Sequence, residues 1–572
     1  MRAILSRDCI NVFDEDSKMN ESPEQALAAP HFNRRRFIQT LIAGAGTSLV
    51  SLAQAQNFSN GSQQAFRPVR VTGGLVAGTQ STTEGVAAYL GIPYAAPPVG
   101  QLRWKPPQPV IPWQGIRRAE QMTASPFTPP NYRSSVYFEP TTAMSEDCLM
   151  LNVWTPEAKP AKPLPVMVWI YGGDWTYGSS SNPLYWGNTL ARHDVVVVSI
   201  NYRLGALGFF AHPSLSAESE HGVSGNYGLL DQIAALQWVQ KNISHFGGDP
   251  DNVTVFGQSA GSFSVNYLMT SPLAKGLFHR AIGQSGAAMS GFGPLARLES
   301  LATQETNGVA FAKMLKANSL DDLRALPAQS LVNTGAASQS FCPVVDGWIL
   351  PDKPHAIFAA GKQHRVPLLV GFNKNEGSVF PPLGNGTVEG LSNILKDLYG
   401  EQAIVAEKLY PATNTTEAQK QGHALFGDQA LKVGTLNWAT MHRHSSKQPV
   451  YLYHFAHKPD LPPNHRYLEG KAKELGVFHG AEIPYAMGTL KASDWTIHPA
   501  DKALSARMLA SWVHFARTGH PQASEAVWPI FDPDHPTVME FGTQTDRLIT
   551  LPRSQELALI NQVANTAPNP SR

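Results

Sequence analysis

Asn252-Val253-Thr254-Val255-Phe256-Gly257-Gln258-Ser259-Ala260-Gly261 is the stretch on which the reading of this chain turns. Its first half is β-branched and aromatic, which predicts a buried strand. That strand runs directly into a G-x-S-x-G turn, and Phe263, Val265, Tyr267 and Leu268 continue beyond it as a helix. A serine on so sharp a strand-to-helix turn is pushed out of the sheet, and its neighbours must be small because a side chain there would clash. The five-residue pattern alone is a weak signal in 572 residues. The strand, turn and helix around it give it weight, with Ser259 as the candidate nucleophile.

Working outward, short apolar runs alternate with amphipathic stretches, the pattern of a mostly parallel sheet covered by helices. The clearest predicted strands are 166–171, 195–201, 253–256, 366–371 and 450–455. Between two of them Leu229, Leu230, Ile233, Leu236, Val239 and Ile243 recur at helical spacing, which predicts a core helix packed on the sheet. Order is expected from about Arg67. No internal repeat, heptad run or transmembrane segment stands out in the chain beyond residue 55.

Composition limits what these elements can do. A chain that is 42% hydrophobic and 16% charged can bury a large core. Lys plus Arg number 45 against 44 Asp plus Glu, so there is no basic field of the kind that holds nucleic acid or an anionic membrane. The three cysteines are Cys9, Cys148 and Cys342, too few for a disulfide framework. No zinc-ligand spacing occurs: His442, His444, His454 and His457 read as packed or surface histidines, and no metal is predicted.

The N-terminus reads as an address. Asn33-Arg34-Arg35-Arg36-Phe37-Ile38-Gln39 resembles the twin-arginine export signal, followed by a moderately apolar stretch to Leu52 and the small-x-small site Ala53-Gln54-Ala55. At about 16 residues, with Gly and Ser inside it, the stretch is short for a membrane span of roughly 20. Cleavage after Ala55 would leave a periplasmic or secreted protein, and either Met1 or Met19 fits as the start. Export by a route that carries folded proteins agrees with stability drawn from a core without disulfides. Residues 1–55 are thus expected to be a signal peptide, 56–67 a polar linker, 68–555 the main domain and 556–572 a tail.

Extended upstream, residues 246–261 (Phe246-Gly247-Gly248-Asp249-Pro250-Asp251 and then the opening stretch) resemble the nucleophile signature of the type-B carboxylesterases, the group that includes cholinesterases and bacterial carboxylesterases. Glu146-Asp147-Cys148-Leu149-Met150-Leu151-Asn152-Val153 is similar to a second signature of that family. Tyr89-Leu90-Gly91-Ile92-Pro93-Tyr94-Ala95-Ala96-Pro97-Pro98, with Leu102-Arg103-Trp104, resembles a third. The resemblance spans roughly residues 68 to 550. It implies the α/β-hydrolase fold, a large mostly parallel central sheet flanked by helices with long loop insertions, as one catalytic domain.

It also implies the rest of a site, because a serine is a poor nucleophile without a base and an acid to orient that base. The order in this fold is serine, acid, histidine. Gly371-Phe372-Asn373-Lys374-Asn375-Glu376-Gly377 resembles the family's acid loop, making Glu376 the orienting carboxylate. Gly476-Val477-Phe478-His479-Gly480-Ala481-Glu482 resembles its histidine loop, making His479 the general base. Glu482 and Asp249 read as structural acids. Tyr171-Gly172-Gly173-Asp174-Trp175 is similar to the family's oxyanion loop, so the main-chain N–H groups of Gly173, Asp174 and Ala260 are expected to meet the charged oxygen.

Three departures from the family stand out. Asp174 replaces the usual third glycine, which Asp tolerates better than most residues do. Gln258 replaces a glutamate before the serine; with Gly172 it is a candidate for the substrate pocket. Ser125 lies near the position of the cysteine that often pairs with the one matching Cys148, so Cys148 is expected to be free and buried. The expected activity is hydrolysis of small carboxylic esters through an acyl-enzyme, with no cofactor. An amidase or lipase on the same fold, or a binding protein of the family that has lost catalysis, are the alternatives. The intact Ser259, Glu376 and His479 argue against the last. Nothing in the sequence sets the oligomeric state.

Overall fold

The computed structural model describes residues 68–129, 142–156, 160–290, 298–335, 337, 340–462, 474–521 and 527–566. The signal segment and the linker expected before residue 68 lie outside them. Among the described residues an eleven-stranded sheet dominates. Its strands are β1 (Thr79–Gln80), β2 (Ala87–Pro93), β3 (Met150–Thr155), β4 (Leu164–Ile170), β5 (Val196–Ile200) and β6 (Gly248–Gln258). There follow β7 (Arg280–Gln284), β8 (Leu368–Asn373), β9 (Val450–Phe455), β10 (Thr537–Phe541) and β11 (Asp546–Thr550). Their spatial order is β11-β10-β9-β8-β7-β6-β4-β5-β3-β2-β1.

From β5 across to β10 every neighbouring pair is parallel, while β3, β2 and β1 on one flank and β11 on the other run antiparallel. The sheet is therefore mixed, with a parallel centre. Composition explains the division. Strands covered by helices on both faces need apolar residues at every position, and β4 (Leu-Pro-Val-Met-Val-Trp-Ile) and β5 (Val-Val-Val-Ser-Ile) supply them. The edge strand β11 reads Asp-Arg-Leu-Ile-Thr and leaves Arg547 and Leu548 exposed.

The helices that matter below are α1 (Tyr227–Asn242), α2 (Ala260–Leu268), α3 (Thr415–Gly427), α4 (Val433–Ser446), α5 (Ile483–Met487), α6 (Pro499–Thr518) and α7 (Ser554–Thr566). Helix α1 carries the predicted apolar stripe, and Leu229, Leu230, Ile233, Leu236 and Val239 are all buried, as is Ile243 just past its end. Helix α2 packs on β6 and β7 and α4 on β8 and β9. Every residue of α2 is buried, so it can hold the turn before it in one place.

Residues 556–566 of the expected C-terminal tail lie in helix α7. Helix α7 buries Leu557, Leu559 and Ile560, and it packs on α4 and the turn before α4. Its apolar residues lie among Gln, Asn, Ser and Thr, and one face is covered.

Candidate active site

The turn between β6 and α2 is built by close approach. A Cβ on Gly257 would lie 2.6 Å from the main chain of Gly261 and from Ile170 O, and a Cβ on Gly261 only 2.0 Å from Ile170 O. No side chain fits at either place. Ser259 between them takes φ 55° and ψ −125°, a conformation that costs on the order of 1–3 kcal/mol for a residue with a side chain. The turn is held by its neighbours: Ser259 N donates to Gln284 O at 2.8 Å, and Phe263 N donates to Ser259 O at 2.9 Å. Ser259 is half-buried, between a fully buried strand end and a fully buried helix.

The loop after β4 runs against this turn. A Cβ on Gly172 would meet Gln258 O at 2.7 Å and Ser259 Cβ at 2.9 Å, so only glycine lets the chain pass. Gly173 follows at φ 108°, where a Cβ would stand 2.1 Å from Tyr177 O. Asp174 and Trp175 then both adopt positive φ, 52° and 54°. For Asp174 that is the left-handed conformation expected to be tolerable. For Trp175 it is an outlier that the sequence does not announce. Its indole is buried near Phe209, Phe263 and Tyr267, and Nε1 donates to Ser264 Oγ at 3.1 Å, so packing on α2 holds the strained loop. Burial, then Cys342 and the carboxylate of Asp174, push the Tyr267 hydroxyl well up. Ala260 opens α2, so its N–H belongs to the first turn and has no partner within the helix.

The acid and the histidine come from the far side. β8 ends at Asn373, and Glu376 begins a short 3₁₀ turn, Glu376–Val379. Its carboxylate is fully buried: Oε1 accepts from Asn373 N at 2.5 Å, and Oε2 meets Nδ1 of His479 at 2.6 Å. Burial raises the Glu376 carboxyl, but the charge and hydrogen bond of His479 and the Asn373 N–H outweigh it and hold the group below its ordinary value. The two loops are also joined by Asn375, whose N–H donates to Val477 O at 2.9 Å and whose side-chain Oδ1 accepts from Val477 N at 3.0 Å. The Phe380 ring lies 5.6 Å from the His479 ring and stacks on Phe426.

Gln258 has a closer part than a pocket floor. It is buried, and its side-chain amide lies 3.1 Å from Nε2 and 3.5 Å from Nδ1 of His479. A neutral amide there adds no second negative charge beside the ring. Glu482, read from the sequence as structural, lies directly behind the acid, fully buried, accepting from Asn373 Nδ2 and from Gln284 Nε2 at 3.1 Å. Burial first and the nearby Glu376 charge second push its carboxyl up. Asn373 thus bonds both acids through different atoms, a link with no sequence signal beyond its place at the end of a strand. Asp249 caps the start of β6, accepting from Asp251 N at 3.0 Å.

The other expectations also find places. Cys148 is a free, buried thiol pushed up by burial, and Ser125 bonds Ser179 and Thr142 instead of facing a cysteine. His457 pairs with Asp501 at 2.7 Å, His454 with Glu540 at 3.2 Å, and His442 bonds Val366 O at 2.8 Å; His444 is exposed. Among the described residues no group of histidine, cysteine and acid side chains is arranged to hold a metal, and no helix is long and apolar enough to cross a membrane.

Comparison with known proteins gives consistent matches. The profile of the Carboxylesterase family matches residues 66–560. The chain is 38% identical to a fumonisin B1 esterase of Sphingopyxis macrogoltabida, over 82% of this chain and 87% of that protein. It is 37% identical to a para-nitrobenzyl esterase of Bacillus subtilis, over 80% and 91% respectively. A solved structure of a PNB esterase superimposes with a TM-score of 0.73 at 33% identity, covering 86% of this chain and 99% of that one.

Proposed function

Because this chain belongs to the carboxylesterase family, on the α/β-hydrolase fold, and is a carboxylic ester hydrolase, we propose that it works in two steps through an acyl-enzyme on Ser259. His479 takes the serine proton as Oγ attacks the ester carbonyl, and Glu376 holds the ring in the right tautomer and stabilises the imidazolium. The negative charge on the carbonyl oxygen is met by the main-chain N–H groups of Gly173, Asp174 and Ala260. The alcohol leaves with the proton from His479, and water then attacks the acyl group by the same path in reverse. The observation that carries the reading is the 2.6 Å bond from Glu376 to His479 Nδ1, the pairing of acid and base that the mechanism needs.

Support for the nucleophile is the strained turn at Ser259, a backbone conformation of the kind that clusters at active sites. Ser259→Ala should abolish turnover, with a loss on the order of 10⁴-fold or more, and leave Tm nearly unchanged. A fluorophosphonate should label wild-type protein at Ser259 alone. Hydrolysis and labelling that persist in the alanine variant would place the nucleophile elsewhere. We also propose export by the twin-arginine route, on the strength of Arg34, Arg35 and the site at Ala53 to Ala55. Exported protein should then begin at Gln56, and changing Arg34 and Arg35 to Lys should retain the chain in the cytoplasm. Unaffected export of that double variant refutes the route.

A further inference from the structure

Between α3 and α4 the helix passes through a π-helical turn, Asp428–Lys432, of the kind often found at functional sites. Two of its residues are charged and buried, Asp428 completely and Lys432 nearly so. Buried charges persist only when paired and hydrogen-bonded, and both of these are. Asp428 Oδ2 accepts from Tyr410 OH at 2.9 Å and from Arg553 Nε at 2.6 Å, and its Oδ1 accepts from Lys432 Nζ at 3.1 Å. The Lys432 ammonium does one thing more. It donates to the main-chain oxygen of Lys374, also at 3.1 Å.

Lys374 is two residues before Glu376, in a loop whose residues 374 and 375 are exposed. On the other side of the acid, His423 of α3 donates from Nδ1 to Gly377 O at 3.1 Å. The two backbones also touch: a Cβ on Gly377 would stand 1.8 Å from His423 O, and one on Gly427 would stand 2.7 Å from Gly377 N. The main chain is thus gripped on both sides of Glu376 by one helical segment. We propose that Lys432, with His423, is a positioning residue: it fixes the loop that carries Glu376 so that the carboxylate meets His479, with Asp428 holding the ammonium in place.

This inference rests on Glu376 being the orienting acid. A misplacement of about 1 Å in a catalytic group can cost on the order of 10²-fold in rate. Lys432→Met keeps the length and apolar stem, leaves the Asp428–Arg553 pair, and removes the donor to Lys374 O. It should lower kcat about 10- to 100-fold with KM changed less than about twofold. The acid limb of the kcat/KM profile should move to lower pH, because a displaced carboxylate stabilises the imidazolium less. Tyr410→Phe is the control: it removes a bond to the same Asp428 and should lower Tm without moving kcat or the limb.

If Lys432→Met loses Tm as Tyr410→Phe does but keeps wild-type kcat and pH profile, Lys432 serves stability alone and the proposal is overturned. Should that variant not fold, His423→Leu, at a half-buried site, decides: lowered kcat with a shifted limb supports the grip, and an unchanged profile overturns it. Glu376→Gln assayed beside them separates the two readings. Activity retained in Glu376→Gln removes the acid assignment itself, whereas activity lost there with a normal Lys432→Met profile removes only the positioning role.

Discussion

Replacing Glu376 by Gln removes one charge while preserving volume, the acceptor for Asn373 N and the buried site. The carboxylate touches His479 at 2.6 Å, which puts the centres of the two charges about 4 Å apart when the ring is protonated. At an effective dielectric constant of about 20, opposite unit charges at that distance attract by about 4 kcal/mol. An imidazolium forms as His479 takes the serine proton, so this attraction lowers the barrier and does not tighten substrate binding. Divided by about 1.4 kcal/mol per decade, its loss slows acylation by about three decades. A glutamine amide turned toward Nδ1 would also donate where the carboxylate accepts, favouring the wrong tautomer and adding about another decade. The expected result is a kcat for p-nitrophenyl butyrate about 10³- to 10⁴-fold below wild type, with KM within about threefold and a matching fall in the fluorophosphonate labelling rate. A folded Glu376→Gln variant that loses less than about tenfold in both assays would show that His479 is oriented by another group, and Glu482 would be the next to test.

Glu482 is the opposite case in its pH dependence. Its carboxyl is raised above the ordinary 4.5 by burial and by Glu376, so the stability it allows is complete below about 4.5 and is lost as pH rises through the folded-state value. Glu482→Gln does not titrate, and its Tm relative to wild type should climb from about pH 4.5 upward; a difference that stays flat from about pH 4 to 8 would contradict the raised acid. At Asp174, Asn and Gly variants assayed on matched neutral and cationic esters should lose about tenfold on both, roughly the worth of one anchoring hydrogen bond in the loop. A loss confined to cationic esters would make the carboxylate a substrate-recognition group instead, and a large gain on both would mean that it opposes the oxyanion.

The turn at Ser259 is legible in sequence because the forces that make it are local. A β-branched run predicts the strand, and Gly257 and Gly261 are required by contacts with Ile170 O that any relative with this crossing must respect. The seams of the sheet are less local. β7, with Gly283 and Gln284 in five residues, has too little apolar character to be recognised alone, yet it lies between β6 and β8 and is buried from Ala281 onward. The acid and histidine loops are legible only through their resemblance to a family, since neither carries periodicity.

What escapes sequence altogether is the layer that holds these loops in place. Trp175 takes a left-handed conformation that its own side chain disfavours, and rings from α2 and the segment before α1, with a hydrogen bond to Ser264, keep it there. The π-helical turn is equally silent, because one inserted residue shifts a helical pattern without breaking it. Lys432 then appears as one more lysine among 45 basic residues. Its meaning comes from a carbonyl 58 residues away in sequence, at Lys374. A chemical group can be recognised by its neighbours in the chain, but the precision with which it is aimed is set by neighbours in space. Variants that fold normally and lose rate without losing binding should therefore concentrate at such supports, where sequence motifs do not point.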